Sequence, residues 1–519
     1  MGNSDAAAAP AFDPDALPRQ SHASGYHSTA EAAFHQAEER IEAHSIAFKK
    51  ELGLFDLVLA QILIIVTYNF VGTAGKLGSS HLLYWIPAVV LFYIPLAAVV
   101  SYLNRLMPLE GGLYQWAKLG FNNFMGFFVA WNIWLYVVVY LSSIGLEVST
   151  YLSYAVGSTD GTNGSTSQWI ATDKVFITAL SCAIVAFLVL SSVVGMQIGK
   201  VVYNVGSVMS IGVFVLLIAL PFVTALLGHH HLYNPFAVTA PTLSLFSLNI
   251  LTKMAFGALC GFEHVAVFAG ECRQPARSIG RSVAIAAPII ALMYILGTSS
   301  LLAFNTPDAI NLIGPLPQAL SSGLQRLDAA AAVYGVQSSW LLYLAPATIL
   351  MLALSQISYG SILLAGMARL PMVAGWDSLL PAWFTKLHPT YHTPVNSVIF
   401  VGIITLVVGV VSIIGVGEQE AFQLLVSASF IFYAITYVVM FAVPLLGLKH
   451  LRHSAERPSW RLRLAAVLGG LVSIAFIVLS LFPIVDVDNP LLFGAKLLAV
   501  MVVTNAVGVG IYYAAKRRS

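Results

Sequence analysis

Charge is scarce in this chain. Asp, Glu, Lys and Arg make up 9% of its 519 residues, and 12 of those charges fall within the first 51 positions; soluble domains carry roughly a quarter. A soluble globule of this length could not coat its surface with what remains, so that class is excluded. Cysteine is nearly absent as well. Cys182, Cys260 and Cys272 lie in or beside apolar stretches, at spacings that suit neither a zinc site nor a disulfide framework, and read as small buried hydrophobes. No GxxxxGK[ST] loop occurs, which removes ATP drive within the chain. The net charge of +2 gives no case for nucleic acid, and nothing implies a cofactor.

What is present is apolar: 58% hydrophobic residues and a mean hydropathy of +0.83. A hydrocarbon core about 30 Å thick takes about 20 residues of helix. Segments of that length fall at 53–73, 84–104, 119–146, 175–195, 200–227, 248–269, 282–304, 340–368, 395–416, 420–446, 464–485 and 491–514. About twelve transmembrane helices are expected, in an all-α polytopic membrane protein. The runs are too long and too uniformly apolar for an outer-membrane barrel. With the N-terminus inside, 20 of the 25 Lys and Arg lie on the inner side, so both termini are expected in the cytoplasm of a cell-membrane protein.

The chain divides into a polar tail (1–50, with a short helix over Glu31–His44), a core of ten helices (51–450), and a last part (451–519) with two more helices and a short C-terminus. The loop Gly157–Ser167 is small and polar, and its Asn163-Gly-Ser165 acceptor reads as chance. His229–His231 are consecutive and cannot converge on a metal as i, i+4 ligands do, so no metal site is expected. The stretch Leu316–Tyr334 is expected to form a surface helix over the outer mouth.

Two apolar segments carry glycine clusters at matching positions. The first contains Thr67-Tyr68-Asn69-Phe70-Val71-Gly72-Thr73-Ala74-Gly75, and the sixth Gly257-Ala-Leu-Cys260-Gly261-Phe262-Glu263. Broken helices in two repeats are how many transporters expose backbone groups to a solute at the midplane; close helix packing through small residues is the competing explanation. Glu263 is a carboxylate deep in an apolar segment, costly there and a functional candidate by default. Its role is open between bracing the broken helix and moving a proton. Lys253 is expected to snorkel to the outer interface.

The segment Pro108-Leu-Glu-Gly111-Gly112-Leu-Tyr114 is similar to the Pro-x-x-Gly-Gly-x-Tyr signature of the amino acid–polyamine–organocation (APC) transporters, which have the leucine-transporter-like fold. Gly261-Phe-Glu263, followed by Gly270-Glu271, Pro275, Arg277 and Arg281, resembles a second motif of that family. Arg369, Asp377, Leu380-Pro381 and Thr393-Pro394-Val395 resemble its inner loop after helix eight. The likeness covers roughly 50–450. It implies a five-plus-five inverted repeat with helices 1 and 6 broken and two trailing helices. It also implies a permease, symporter or antiporter, that moves amino acids by alternating access; a polyamine or other organic amine is the alternative substrate.

In that family the two broken helices embrace the amino and carboxylate groups of the solute. The matching substrate-binding positions are Tyr68, Asn69, Phe70, Val71 and Gly72, with Cys260, Gly261, Phe262 and Glu263. Trp131, Trp134, Tyr136 and Tyr140 of helix three, Ser355, Gln356 and Tyr359 of helix eight, and Ser427 and Ser429 of helix ten are expected to line the same cavity. Phe262 is the candidate gate. Some members carry a lysine in helix five, six residues after an asparagine; counting from Asn204 reaches Ser210, so lysine-gated coupling is not expected. Proton coupling through Glu263, sodium coupling through Ser210, Ser355 and helix-one carbonyls, or exchange are left open. With Glu263 as nearly the only carboxylate at depth and no Arg or Lys apparent in the cavity, neutral or broadly accepted amino acids are favoured. A membrane enzyme would need a catalytic set within the spans, yet Glu263 and the adjacent His264 should point to different helix faces. A channel would have continuous helices and polar rings.

Overall fold

The computed structural model of the protein describes residues 52–517 except 108–110, 158–164, 229–238, 334–340, 368–380, 392, 413–416, 448–456 and 488. The expected tail helix, Asn163, His229–His231, Glu110, Arg369 and Asp377 lie outside the described residues.

Hydrophobic runs of spanning length leave the backbone one way to satisfy itself in lipid, which is to form helices. Among the described residues ten helical stretches are long and apolar enough to span. A bent pair makes an eleventh, and the shorter apolar helix Val395–Val411 completes twelve. The first segment is that pair, α1 (Leu54–Ile65) and α2 (Tyr68–Gly75), set 47° apart. The second is α3 (Gly78–Leu106), widened by a π-turn at Val89–Tyr93. A short α4 (Leu113–Gly120) leads to the third, α5 (Asn123–Leu141) with α6 (Ile144–Ala155). Then come α7 (Ser165–Thr172), α8 (Lys174–Val194) and α9 (Met196–Leu226). The sixth segment is α10 (Leu245–Thr252), a π-turn at Lys253–Gly257, and a 3-10 stretch over Phe262–Glu271. It is followed by α11 (Pro275–Phe304), α12 (Pro315–Val333), α13 (Leu341–Met367), α14 (Val395–Ser412) and α15 (Glu418–Leu446). The chain closes with α16 (Trp460–Leu479) and α17 (Pro490–Lys516).

Packing pairs come in matching sets. The third segment packs on the tenth as the eighth packs on the fifth, and the first packs on the seventh as the sixth packs on the second. The connectors obey the same relation: α12 lies on α2, and α4 lies on the 3-10 stretch. Such pairing is what two inverted five-helix repeats produce, with α16 and α17 added outside. The α4 connector needs its Gly-Gly pair, because Gly111 (φ 90°) and Gly112 (φ 45°) both turn through the left-handed region.

One boundary and two placements differ from expectation. The third segment continues to Ala155 through a two-residue turn at Ser142–Ser143, which brings Glu147 into the membrane. The helix α12 is no mere surface cover: Leu316, Ala319, Leu320 and Leu324 are buried. Lys253 does not snorkel either. It is buried, its Nζ 3.5 Å from Ser480 Oγ and 5.6 Å above the Phe476 ring, because the π-turn rotates it toward α16.

Candidate functional site

Helix α1 ends where Val66 (φ −76°, ψ 83°) and Thr67 (φ −92°, ψ 118°) leave helical geometry. Backbone groups freed at such a break must find partners when buried. The Thr67 amide turns back to the Ile65 carbonyl at 2.8 Å, and Tyr294 of α11 joins the two: its hydroxyl donates to the Ile65 carbonyl at 2.7 Å and accepts from the Thr67 amide at 2.9 Å. The interruption therefore precedes the glycine cluster. Gly72 and Gly75 lie within α2 and serve packing. A Cβ on Gly72 would come 2.7 Å from the Pro315 side chain, and one on Gly75 would come 2.7 Å from Ile310.

The sixth segment breaks at Cys260–Gly261, where Gly261 has φ 121°. Here too a tyrosine enters: the Gly261 amide donates to the Tyr437 hydroxyl at 2.8 Å. Tyr437 and Tyr433, one turn apart on α15, both donate to the Glu263 carboxylate. His264 Nδ1 is 2.7 Å from the Tyr433 hydroxyl and 3.4 Å from Glu263 Oε1. Glu263 and His264 thus converge, contrary to the expectation of different faces. Both lie in the 3-10 stretch beyond Gly261, and the Tyr433 hydroxyl of α15, within reach of both, is the point on which they meet. The two breaks touch. A Cβ on Gly261 would lie 3.0 Å from Ile65, and one on Gly257 would lie 2.4 Å from the Phe70 ring.

Around this junction stands an aromatic wall. Phe70 meets Phe430 edge to face at 5.0 Å, Tyr136 stacks on Tyr433 at 4.4 Å, and the Tyr136 and Tyr359 hydroxyls are 3.1 Å apart. Tyr140 packs against both Tyr359 and Phe430. Phe262 points elsewhere: it stacks on Tyr93 of α3 at 5.0 Å. Trp134 is also turned away, stacked on Phe400 of α14. Two residues along a helix is about 200° of rotation, so Trp134 and Tyr136 cannot share a face. Trp131 binds the Thr504 carbonyl of α17. Ser427 is buried, and Ser429 bonds its own helix at Val426. Asn69, Val71 and Cys260 are buried at the junction, and the Asn69 amide oxygen has no hydrogen-bond partner among the described residues.

On the far side of Tyr68 lies a polar layer. The Tyr68 hydroxyl is 3.0 Å from Ser210 Oγ and 2.8 Å from Ser355 Oγ, and Ser355 donates to the Gly206 carbonyl. The two serines considered as sodium ligands are thus bridged by a tyrosine. Gln356 donates to Tyr140 at 3.1 Å and to Glu147 at 2.7 Å, and Tyr151 donates to the other Glu147 oxygen at 3.1 Å. Glu147 was missed from sequence because it follows the expected end of the third span; with it, Glu263 is not alone at depth. Its own signal was a lone acid between Leu146 and Val148, continuous with an apolar run. Among the described residues no group of three His, Cys, Asp or Glu side chains could hold a metal ion.

This junction of two interrupted helices in a twelve-segment bundle is that of a membrane transporter with the leucine-transporter-like fold. Among solved structures, MhsT in complex with L-phenylalanine is similar, with a TM-score of 0.59 at 14% identity, over 83% of this chain and 99% of that one. The family model described as amino acid permease matches residues 52–514, and the chain belongs to that family. Its relatives include an uncharacterized transporter of Legionella pneumophila, 27% identical over 76% of this chain and 80% of that protein. They also include the probable agmatine/putrescine antiporter AguD of Lactococcus lactis (23%, over 76% and 78%) and the branched-chain amino acid permease BcaP of Bacillus subtilis (23%, over 73% and 80%). The APC resemblance and the transporter reading stand on these matches, and the family is one of transporters, not enzymes.

Proposed function

We propose that the chain carries a neutral amino acid through the junction of its two broken segments by alternating access. The observation that carries this is the contact between the breaks at Val66–Thr67 and Cys260–Gly261, with the unpartnered Asn69 oxygen beside them. Helix ends offer amides to a carboxylate and carbonyls to an ammonium, and Asn69 adds an acceptor for the latter. The surrounding Phe70, Phe430, Tyr136 and Tyr359 suit an apolar side chain. A diamine needs a second anion, but the oxygens of Glu263 and Glu147 are each already held by donors. Segments 1, 2, 6 and 7 pack as one group around α11, and segments 3, 4, 8 and 9 as another. The first group rocks against the second. The Lys and Arg bias supports cytoplasmic termini.

A thermal-shift screen of the purified chain against the amino acids, putrescine and agmatine tests this. A ligand at a hundred times its Kd stabilises by about 2.7 kcal/mol. Neutral amino acids are expected to raise Tm, and Asn69→Ala should abolish the rise while the unliganded Tm stays close to wild type. A rise with putrescine or agmatine alone would overturn the neutral-substrate reading.

A further inference from the structure

We propose that Glu147 is the group that takes up and releases a proton coupled to transport. The proposal rests on the transport reading above and assigns its driving ion. Glu147 is 1% exposed at the depth of the third segment. A buried carboxylate is retained when ionised only with compensation, yet the partners here are neutral: the Gln356 amide and the Tyr151 hydroxyl. The ionisable groups facing it are likewise tyrosines: Tyr151 of its own helix, Tyr140 of α5, Tyr68 of α2 and Tyr359 of α13. Among the described residues, the other helices packed on α6 bring no cation to it. The α7 sequence has no ionisable residue, Lys174 and Cys182 of α8 are exposed, Asp328 of α12 is exposed, and Arg326 of α12 binds the carbonyls of Ala303 and Phe304.

With both oxygens engaged and no free surface, the side chain has no room for a substrate ammonium and its three donors. A proton needs no room. Sodium has no evident place either, because the Tyr68 hydroxyl already bridges Ser210 and Ser355.

The consequence of protonation follows from donor counting. Ionised, Glu147 accepts from Gln356 and Tyr151. Protonated, one of its oxygens must donate, so either the Tyr151 hydroxyl turns to accept or the Gln356 amide reverses. Gln356 also holds Tyr140, which packs on Tyr359 and Phe430 of the aromatic wall. The proton arrives from water on one side, resides on a Glu147 oxygen, and leaves to water on the other. Its presence is read at the wall through Gln356.

The experiment uses the full chain in liposomes loaded with a pH-sensitive dye, with external L-leucine, L-phenylalanine, putrescine and agmatine added in turn. Counterflow of the same radiolabelled compounds is followed in parallel. Wild type is expected to change internal pH as the substrate moves. Glu147→Gln should lower that signal at least about tenfold, within the range of ordinary coupling free energies, and retain counterflow. If Glu147→Gln is not recovered folded, Glu147→Asp replaces it, with a midpoint of pH dependence expected to move by roughly half a unit. An undiminished dye signal in Glu147→Gln, or an unmoved midpoint in Glu147→Asp, overturns the proposal. So does wild-type counterflow without a pH change, whether or not choline in place of sodium stops uptake; that result leaves the transport reading standing. Absence of counterflow for all four compounds overturns both.

Discussion

Three tyrosines do the work that regular hydrogen bonding abandons. Tyr294 fills the gap between Ile65 and Thr67, and Tyr437, with Tyr433 beside it, ties Gly261 and Glu263 to α15. The Thr67 amide also reaches the Ile65 carbonyl, so Tyr294→Phe removes hydrogen bonds without orphaning either group and should lower stability by about 0.5–1.5 kcal/mol. An unchanged Tm would show that the break does not depend on the hydroxyl. Gly261 holds φ 121°, and a Cβ there would come 3.0 Å from the Ile65 side chain. Gly261→Ala is therefore expected to cost at least about 1–3 kcal/mol, measured as Tm against wild type. From sequence alone Glu263→Gln should cripple transport more than expression. With the carboxylate accepting two tyrosine hydroxyls, the expectation changes: a glutamine nitrogen cannot accept, so stability and transport should fall together. Intact Tm with lost uptake would restore the first expectation.

At the scale of elements, the glycine clusters located both interrupted segments, but the interruption itself in only one of them. In the sixth segment Gly261 is the break. In the first, the break precedes the glycines, which instead let α2 lie close against the chain entering α12, at Ile310 and Pro315. A small residue permits either use, and the choice depends on which neighbour arrives. Gly72→Val should therefore overpack the α2–α12 contact and cost about 1–3 kcal/mol, with the Tm of Ala intermediate between wild type and Val. Equal Tm values for all three would mean that α12 yields freely. Helix rotation was likewise illegible in uniformly apolar segments. Trp134 and Tyr136 look equally suited to a cavity, and only the packing of α5 on α14 and α15 sends one to each side.

Across the whole molecule, the first segment is fastened at both ends. At one, Asn204 donates to Asp56 at 2.7 Å, Ser207 to the Leu59 carbonyl and Gln61 to Ser282, while Leu52 pairs with Cys272. At the other, Lys76 binds the Asp308 carbonyl at 3.2 Å, and burial lowers its pKa below the ordinary lysine range. Opening toward either side must break one set. Asp56→Ala should shift the population toward opening at the α1 end and speed labelling of Cys260, now 5% exposed, by a small thiol reagent. Cys182→Ala would serve as background, since Cys182 is exposed. An unchanged labelling rate would locate the moving end elsewhere.

The number of spans, their approximate limits, the transporter class and the two segments worth watching were all determined by sequence. Each follows from local quantities: apolar run length against bilayer thickness, the cost of charge in hydrocarbon, and short motifs. Tertiary structure alone decided that Tyr294 and Tyr437 complete the breaks, that Phe262 and Trp134 face away, and that Glu147 joins Gln356 across two helices. Those contacts join residues 176 to 227 positions apart or depend on rotation about a helix axis. In a helix apolar on every side no periodicity marks the face that meets its neighbours.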